Sequence, residues 1–276
     1  MESRLITKDD FEKLHEAFCH AFSNYKVDFN LTKDEFDVRI HKKLNIDYDL
    51  SAATFDGDEL IGFILHTSNI YEGIPTAFNG GTGVIPGFRN QRTGEELYEF
   101  LLPKIAEKSL ARILLEVIDT NEQAIRLYEK IGFNFRRKFL CYKLEDSSFF
   151  ADIDDTAKEG TITNIIEDFA DFEPSFVDSK NQLLKGDETV LLIEHENEVA
   201  GYAVFQPIFG RISQIAISRQ HRKEGLGKKL IKGVLDRSHK KLTVINVPED
   251  EYGFQQFLST CGFKNQINQF EMELII

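Results

Sequence analysis

The feature that most constrains this chain is that it resembles itself. Arg89 and Gly94 recur as Arg222 and Gly227, each 133 residues further on. Asp58-Glu59-Leu60-Ile61-Gly62-Phe63 recurs as Asn197-Glu198-Val199-Ala200-Gly201-Tyr202, with the glycines 139 apart. Ile131-Gly132-Phe133 recurs as Cys261-Gly262-Phe263, at a distance of 130. Landmarks in one order, drifting by a few residues, are what a duplication with shortened loops leaves behind. A chain of 276 residues has room for two medium domains. The repeat predicts two homologous domains in tandem, 1–146 and 147–276, joined at the short polar stretch Glu145-Asp146-Ser147-Ser148.

The second copy holds the most informative stretch. An apolar β-branched segment, Ile212 to Ser218, runs into Arg222-Lys223-Glu224-Gly225-Leu226-Gly227-Lys228-Lys229. Leu226, Leu230, Ile231, Val234 and Leu235 then repeat at helical spacing. A strand, a glycine loop and a helix start follow one another directly. The first N–H groups of such a helix have no internal partner, and with the helix dipole they form an anion site suited to a pyrophosphate. Lys228 and Lys229 on the first turn have the wrong sign for the dipole alone, which points to an anion neutralised there. The competing reading is a helix with a glycine start and a solvated basic face.

Around these landmarks the pattern predicts similar elements in both halves. In the first, Leu5-Ile6 is a short strand, and a helix places Phe11, Leu14, Phe18 and Phe22 inward. Thr32-x-x-Glu35 is a capping box for a second helix through Leu44. Strands follow at 51–55, 59–66 and 77–84, then a helix from Gly94 toward Lys108 that contains Pro103. A buried strand at 113–118, a helix at 121–130 and a closing strand at 133–144 complete it. In the second half, 161–169 reads as helical and 172–185 has no clear pattern. Strands at 190–194, 198–205 and 211–217, a helix at 225–237, a strand at 242–247, a helix at 250–260 and a strand at 263–276 follow. This is an α/β (α+β) layout with helices around one sheet in each half.

Composition narrows the function. Hydrophobic content is 42% and charged content 29%, ordinary for a globular chain, and 24 phenylalanines with no tryptophan assign much of the core to Phe. No apolar run is long enough to span a bilayer, and Met1-Glu2-Ser3-Arg4 lacks a signal-peptide core, so a cytoplasmic protein without a membrane partner is expected. Three scattered cysteines fit reduced thiols. The seven histidines show no metal-ligand spacing, and no metal is expected. A net charge of −13 argues against nucleic acid and is compatible with a cationic amine substrate.

Arg222-x-x-Gly225-x-Gly227 after Ile215-Ala216-Ile217 resembles the acyl-CoA loop of the GNAT N-acetyltransferase superfamily. It differs from dinucleotide and P-loop fingerprints, which place their glycines otherwise. The first half resembles the same family in Asn121-x-x-Ala124-x-x-Leu127-Tyr128-x-x-x-Gly132-Phe133. The resemblance covers nearly the whole chain. It implies the acyl-CoA N-acyltransferase fold twice over, each a mixed sheet splayed between its central strands, with the pantetheine arm in the gap. It implies acetyl-CoA as co-substrate and an amine as acceptor. Cofactor contacts fall on Val84, Arg89, Gln91, Arg92, Gly94 and Asn121 in the first half. In the second they fall on Ile215, Ile217, Arg222, Lys223, Gly225, Leu226, Gly227 and Lys228. Tyr128 occupies the position of the acid that protonates the departing thiolate; the other reading is a core tyrosine with its hydroxyl at the surface.

Neither half matches fully. The first has Arg92 where the second has Gly225, and Glu95 and Glu96 where the second has Lys228 and Lys229. The second has Glu251 for Asn121 and Leu258 for Tyr128. A coenzyme thiol of pKa near 8.5 is a tolerable leaving group, so a lost acid costs about 10²–10⁴ in rate. The nucleophile is the harder problem. An alkylamine of pKa about 10.4 is only ~0.04% neutral at pH 7, a handicap of ~4–5 kcal/mol. A base is needed, and Glu116 beside the splay is the candidate in the first half; a lone Glu on a strand also reads as solvent-facing. Backbone N–H groups near Val84 or Ile217 would hold the thioester carbonyl. Chemistry is expected in the first half and CoA binding in the second, with the reverse assignment open. Phe22, Tyr25 and Phe29 are expected to line the acceptor pocket. The rival class is a non-catalytic acyl-CoA sensor or scaffold; aminoacyl or longer acyl transfer is a third reading. Acceptor identity and oligomeric state stay open.

Overall fold

A computed structural model describes residues 1–24 and 29–276. Contacts divide the chain into two compact units, 1–136 with 271–276, and 137–270.

The first unit begins with strand β1 (Glu2–Leu5) and helix α1 (Phe11–Phe22). Helix α2 (Lys33–Asp37) starts at the Thr32/Glu35 capping box read from the sequence and runs on as a π-helical stretch, Val38–Lys43. Strands β2 (Ala52–Asp56), β3 (Glu59–Tyr71) and β4 (Ile74–Val84) form successive hairpins. Helix α3 (Thr93–Glu107) continues through Pro103, and strand β5 (Arg112–Ile118) and helix α4 (Glu122–Ile131) follow. The β3–β4 hairpin extends further than its apolar pattern predicts. Its turn at Glu72 and Gly73 has φ of +53° and +76°, the twist that suits a tight hairpin, so polar residues are carried along as ladder. The core is aromatic: the Phe18 ring lies 5.0 Å from that of Phe36 and 5.9 Å from that of Phe63.

The second unit comprises strands β6 (Asn134–Leu144) from Arg137 onward, β7 (Lys158–Gly160), β8 (Thr189–His195), β9 (Glu198–Gln206), β10 (Arg211–Ile217), β11 (Thr243–Pro248) and β12 (Phe263–Ile275) as far as Phe270. Helices α5 (Lys180–Leu183), α6 (Leu226–Arg237) and α7 (Tyr252–Thr260) complete it. The stretch expected to be helical at 161–169 is instead two short 3-10 turns, Ile162–Asn164 and Glu167–Phe169. The Asn164 side chain accepts from the Thr161 N–H, offering the backbone a turn in place of helical bonds. Ile162, Ile165 and Phe169, which mimic a helical face, pack singly onto the core around Tyr202.

Register makes the duplication concrete. Gly62 pairs with Val84, and Gly201 with Ile217, the same partners in both copies. The β3–β4 ladder slips between Leu65 and His66, and the β9–β10 ladder between Ile212 and Gln214, so Gly80 and Ser213 bulge at matching positions. The closing strand behaves differently from expectation. Lys143 of β6 pairs with Thr243 of β11, so residues 137–144 serve the second unit. Residues 271–276 of the last strand serve the first, where Ile276 donates to the Ala111 carbonyl and Glu273 accepts from Arg112. Two related closing strands are interchangeable by pattern, and only such pairings tell them apart.

The N-terminal turn offers a pH-dependent check. Asp10, only 8% exposed in its side chain, accepts from Arg4 at 2.6 Å and from the Thr7 N–H at 2.9 Å. Its bond to Arg4, aided by Thr7 and opposed by burial, lowers its pKa to about 2. Because the folded pKa is depressed, the stabilisation is present above the unfolded value and lost as pH falls toward 2. Asp10→Asn is expected to cost about 2 kcal/mol at neutral pH. Urea unfolding should show that difference shrinking below about pH 4.

Candidate active site

In the first unit, β4 and β5 pair in parallel from Thr76↔Arg112 to Asn79↔Leu115. Beyond that they part, so from Gly80 to Val84 the edge of β4 facing β5 has no strand partner among the described residues. Glu116 is the first residue past the last pair and is half-buried. At the same opening, Asn79 Nδ2 donates to Tyr98 Oη at 2.6 Å. The Tyr98 ring meets that of Tyr128 edge-on at 6.3 Å between centroids, and Phe133 supports Tyr128 at 5.6 Å. Burial, then the nearby Tyr128, raises Tyr98 well above the usual phenol range, so Tyr98 is a fixed neutral support. Tyr128 retains 7% exposure. Asn121 caps α4, its Oδ1 accepting from the Ala124 N–H at 3.2 Å. The Phe22 and Phe29 rings meet at a tilt of 50°, 5.2 Å between centroids, beside Phe18; Tyr25 lies outside the described residues.

The two phosphate-type loops share one backbone. Asn90 and Arg92 have φ of +61° and +64°; Lys223 and Gly225, 133 residues on, have +67° and +84°. Arg89 Nε donates to the Val84 carbonyl, and Arg222 Nε to the Ile217 carbonyl, each at 3.1 Å. Their Nη2 atoms donate to the Ala21 and Phe169 carbonyls, and Arg222 Nη1 pairs with Asp171 at 2.6 Å. Both guanidiniums therefore clasp the end of a strand to the loop that leaves it. Gly94 and Gly227 sit where a Cβ would meet Leu127 and Phe257 at 2.9 Å, which lets α3 and α6 start close to α4 and α7.

The loops differ in charge. In the first unit Arg92 pairs with Glu95 and Glu99, Lys130 holds Glu95 at 2.7 Å, and Gln91 donates to the Gly87 carbonyl. Lys130, then Arg92, keeps the Glu95 carboxyl below its usual range. In the second unit Lys223, Lys228 and Lys229 make no ion pair among the described residues, and Gly225 precedes an open helix start, with Leu226 buried beneath.

The second unit also splays. Among the described residues β10 and β11 pair only at Arg211↔Thr243 and Ile212↔Val244. A pocket of about 460 Å³, mouth included, lies there, lined by Asp171, Tyr202, Gln214, Ile215, Ile245 and Asn246 among others. Tyr202 Oη donates to Gln214 Oε1 at 3.1 Å, and buried Asp178 takes two bonds from Arg211 at 2.9 and 2.7 Å. Counting from the last paired residues, Ile245 stands where the first unit has Glu116. Leu258, fully buried, stands where it has Tyr128, and Tyr252 points outward at 74% exposure. Glu251, at the Asn121 position, makes no cap bond; burial, then Asp250 and Asp171, raises its carboxyl pKa. Tyr98, Asn79 and the Asp178–Arg211 pair were not legible beforehand. Only their partners across the sheet mark them, and 172–185 carries no periodic pattern.

Residues 11–133 match the model of the acetyltransferase (GNAT) family, and 154–276 match a second GNAT-domain model. The chain belongs to the GNAT superfamily of acetyltransferases and carries two GNAT domains in tandem. It is 33% identical over 87 residues to N-alpha-acetyltransferase 30 of Dictyostelium discoideum, covering 31% of this chain and 47% of that protein. The chain thus spans about half the length of that curated relative. Among solved structures, a putative acetyltransferase from Pyrococcus horikoshii superposes with a TM-score of 0.72 at 18% identity, covering 100% of this chain and 89% of the other. A tandem GNAT protein from the clavulanic acid biosynthesis pathway does so at 0.72 and 12%, covering 99% and 98%. A GCN5-related N-acetyltransferase from Sphaerobacter thermophilus gives 0.71 and 13%, covering 99% and 95%. At these identities they speak for the fold. No helix among the described residues is long and apolar enough to cross a membrane.

Proposed function

We propose that this chain transfers an acetyl group from acetyl-CoA to a primary amine, with the chemistry in the first unit. The observation that carries the reading is the parting of β4 and β5 beside Glu116, with Tyr128 linked to the last pair through ring contact with Tyr98, which Asn79 holds. Glu116, acting through water, takes a proton from the ammonium so that a neutral amine attacks the thioester carbon. N–H groups of the unpaired edge of β4 near Val84 hold the carbonyl oxygen as charge grows there. The new C–N bond forms and the C–S bond breaks; Tyr128 gives its proton to the leaving sulfur, and the second proton that the nitrogen sheds on becoming an amide passes through water to the Tyr128 oxygen. No covalent enzyme intermediate is involved.

The pyrophosphate is held by N–H groups at the starts of α3 and α6, with Arg89 and Arg222 fixing the loops. In the second unit Lys228 and Gly225 make that site open. In the first, Arg92 turns from Glu95 and Glu99 to the phosphates, and Lys130 keeps Glu95 neutralised. The second unit binds acyl-CoA without an acid or base of its own, since Leu258 and Ile245 replace both. That replacement also favours the rival reading, an acyl-CoA sensor, should the first unit be silent.

Calorimetric titration with acetyl-CoA, paired with turnover on a panel of primary amines, tests this. Two sites with turnover are expected. Binding without turnover on any amine favours the sensor, and no binding sinks both readings. Gly225→Glu is expected to abolish one site. A side chain at φ +84° is strained by ~1–2 kcal/mol, and its carboxylate faces the phosphates. Undiminished stoichiometry in that variant would refute cofactor binding at α6.

A further inference from the structure

The fold assembles a second cluster that the sequence conceals. His195 ends β8, His221 closes the short turn Arg219–His221, and Glu224 lies in the loop before α6. The histidines are 26 residues apart in sequence, outside the short spacings of structural zinc motifs. In space their rings are 4.6 Å apart between centroids. Glu224 Oε2 lies 3.8 Å from His195 Nδ1 and 3.6 Å from His221 Nδ1. One ligand atom from each of the three falls within 4.8 Å of the others.

We propose that His195, His221 and Glu224 form a binding site for a divalent transition-metal ion of the zinc type. Two imidazoles and one carboxylate are the mixed N/O set that such borderline ions prefer, whereas calcium and magnesium take oxygen ligands. Metal–ligand bonds of about 2.0–2.1 Å in a tetrahedral site put ligand atoms about 3.3 Å apart. The observed spacings of 3.6 and 3.8 Å are therefore nearly closed already. Neither imidazole bonds to another described group besides Glu224, so both rings can turn toward a common ion. The side chains are 39%, 21% and 43% exposed, which gives an ion access and leaves a coordination position to water. The two rings meet at an angle of 39° and face one shared carboxylate. The site is independent of the reading of the first unit as catalytic.

The test is calorimetric titration of the full chain with Zn²⁺, with Co²⁺ as an absorbing substitute. One equivalent per chain is expected, with visible Co²⁺ bands of a low-coordinate site. The double variant His195→Ala/His221→Ala should lose about 100-fold or more in affinity, since even supporting partners of metal ligands are worth 10–100-fold. Glu224→Gln keeps both rings, weakens binding less, and serves as the second probe, with circular dichroism reporting the fold of each variant. Absence of saturable Zn²⁺ binding overturns the proposal. So does one-equivalent binding that survives in both variants, which would assign the ion to the thiols or the chain end.

Discussion

Tyr128→Phe is expected to lower turnover at least tenfold, toward about 10²-fold, with acetyl-CoA affinity unchanged. The substitution removes one oxygen and keeps the ring, which packs against Tyr98 at 6.3 Å and Phe133 at 5.6 Å, so folding and the shape of the opening are preserved. The loss belongs at the low end for an acid catalyst. A thiol of pKa near 8.5 departs tolerably as its thiolate, and the proton only assists it. Affinity stays because the coenzyme is held at the helix starts, away from the phenol. Steady-state rates on an amine substrate and calorimetry on the same preparation separate the two quantities. Turnover equal to that of the parent would retire Tyr128 as the acid and return it to the role of a core tyrosine. Glu116→Gln makes a useful contrast. It leaves the amine to lose its proton to solvent, so its rate should keep rising with pH beyond the parent's plateau. Parallel pH profiles would remove Glu116 from the mechanism.

How much of this was legible beforehand depends on where the signal resides. The two-fold repeat was readable because its landmarks are backbone necessities. Gly201 would press a Cβ to 2.7 Å of the Ala216 carbonyl, so few residues fit there in either copy. The loop glycines Gly225 and Gly227, the capping box at Thr32 and the α4 signature from Asn121 to Gly132 are local rules of the same kind. Arg92 is instructive: it holds φ +64° where the second copy has glycine, so the loop kept its geometry after its composition changed. What stayed hidden is pairing across distance. Nothing in Asn79 or Tyr98 marks them as the link between the opening and Tyr128. The Asp178–Arg211 pair, and the gathering of His195 with His221 and Glu224, arise only when segments far apart in sequence lie side by side. The turns at 162–169 misled because apolar residues at helical spacing also suit separate contacts on one core.

Arg112→Met is expected to destabilise the first unit by about 3 kcal/mol, the low end for breaking a buried ion pair, because the carboxylates left behind are about a quarter exposed. Arg112 is 4% exposed in its side chain and spends its donors on four partners. Nη1 reaches Glu273 at 2.9 Å, Nε reaches Thr76 at 2.9 Å, and Nη2 reaches Glu72 and the Tyr71 carbonyl, both at 3.0 Å. Glu72 is shared with Arg136, which also pairs with fully buried Glu271. Burial raises the Glu72 pKa, but the bonds from Arg136 and Arg112 outweigh it and leave the carboxyl below its usual range. Removing Arg112 takes away part of that compensation and leaves Glu273 facing an apolar side chain. The distinction that matters is between a favourable ion pair and an unfavourable orphan. If the cost is the orphaned carboxylate, the double variant Arg112→Met/Glu273→Leu should recover a substantial part of the loss, because an apolar pair of similar volume is often neutral. If the cost is lost Coulomb attraction, the double variant gains nothing. Chemical unfolding, with hydrogen exchange followed in β4 and β5, reads both cases. A cost below about 1 kcal/mol for Arg112→Met, the scale of an exposed pair, would show that the network is screened by water and that residues 271–276 are held to the first unit by the strand ladder alone.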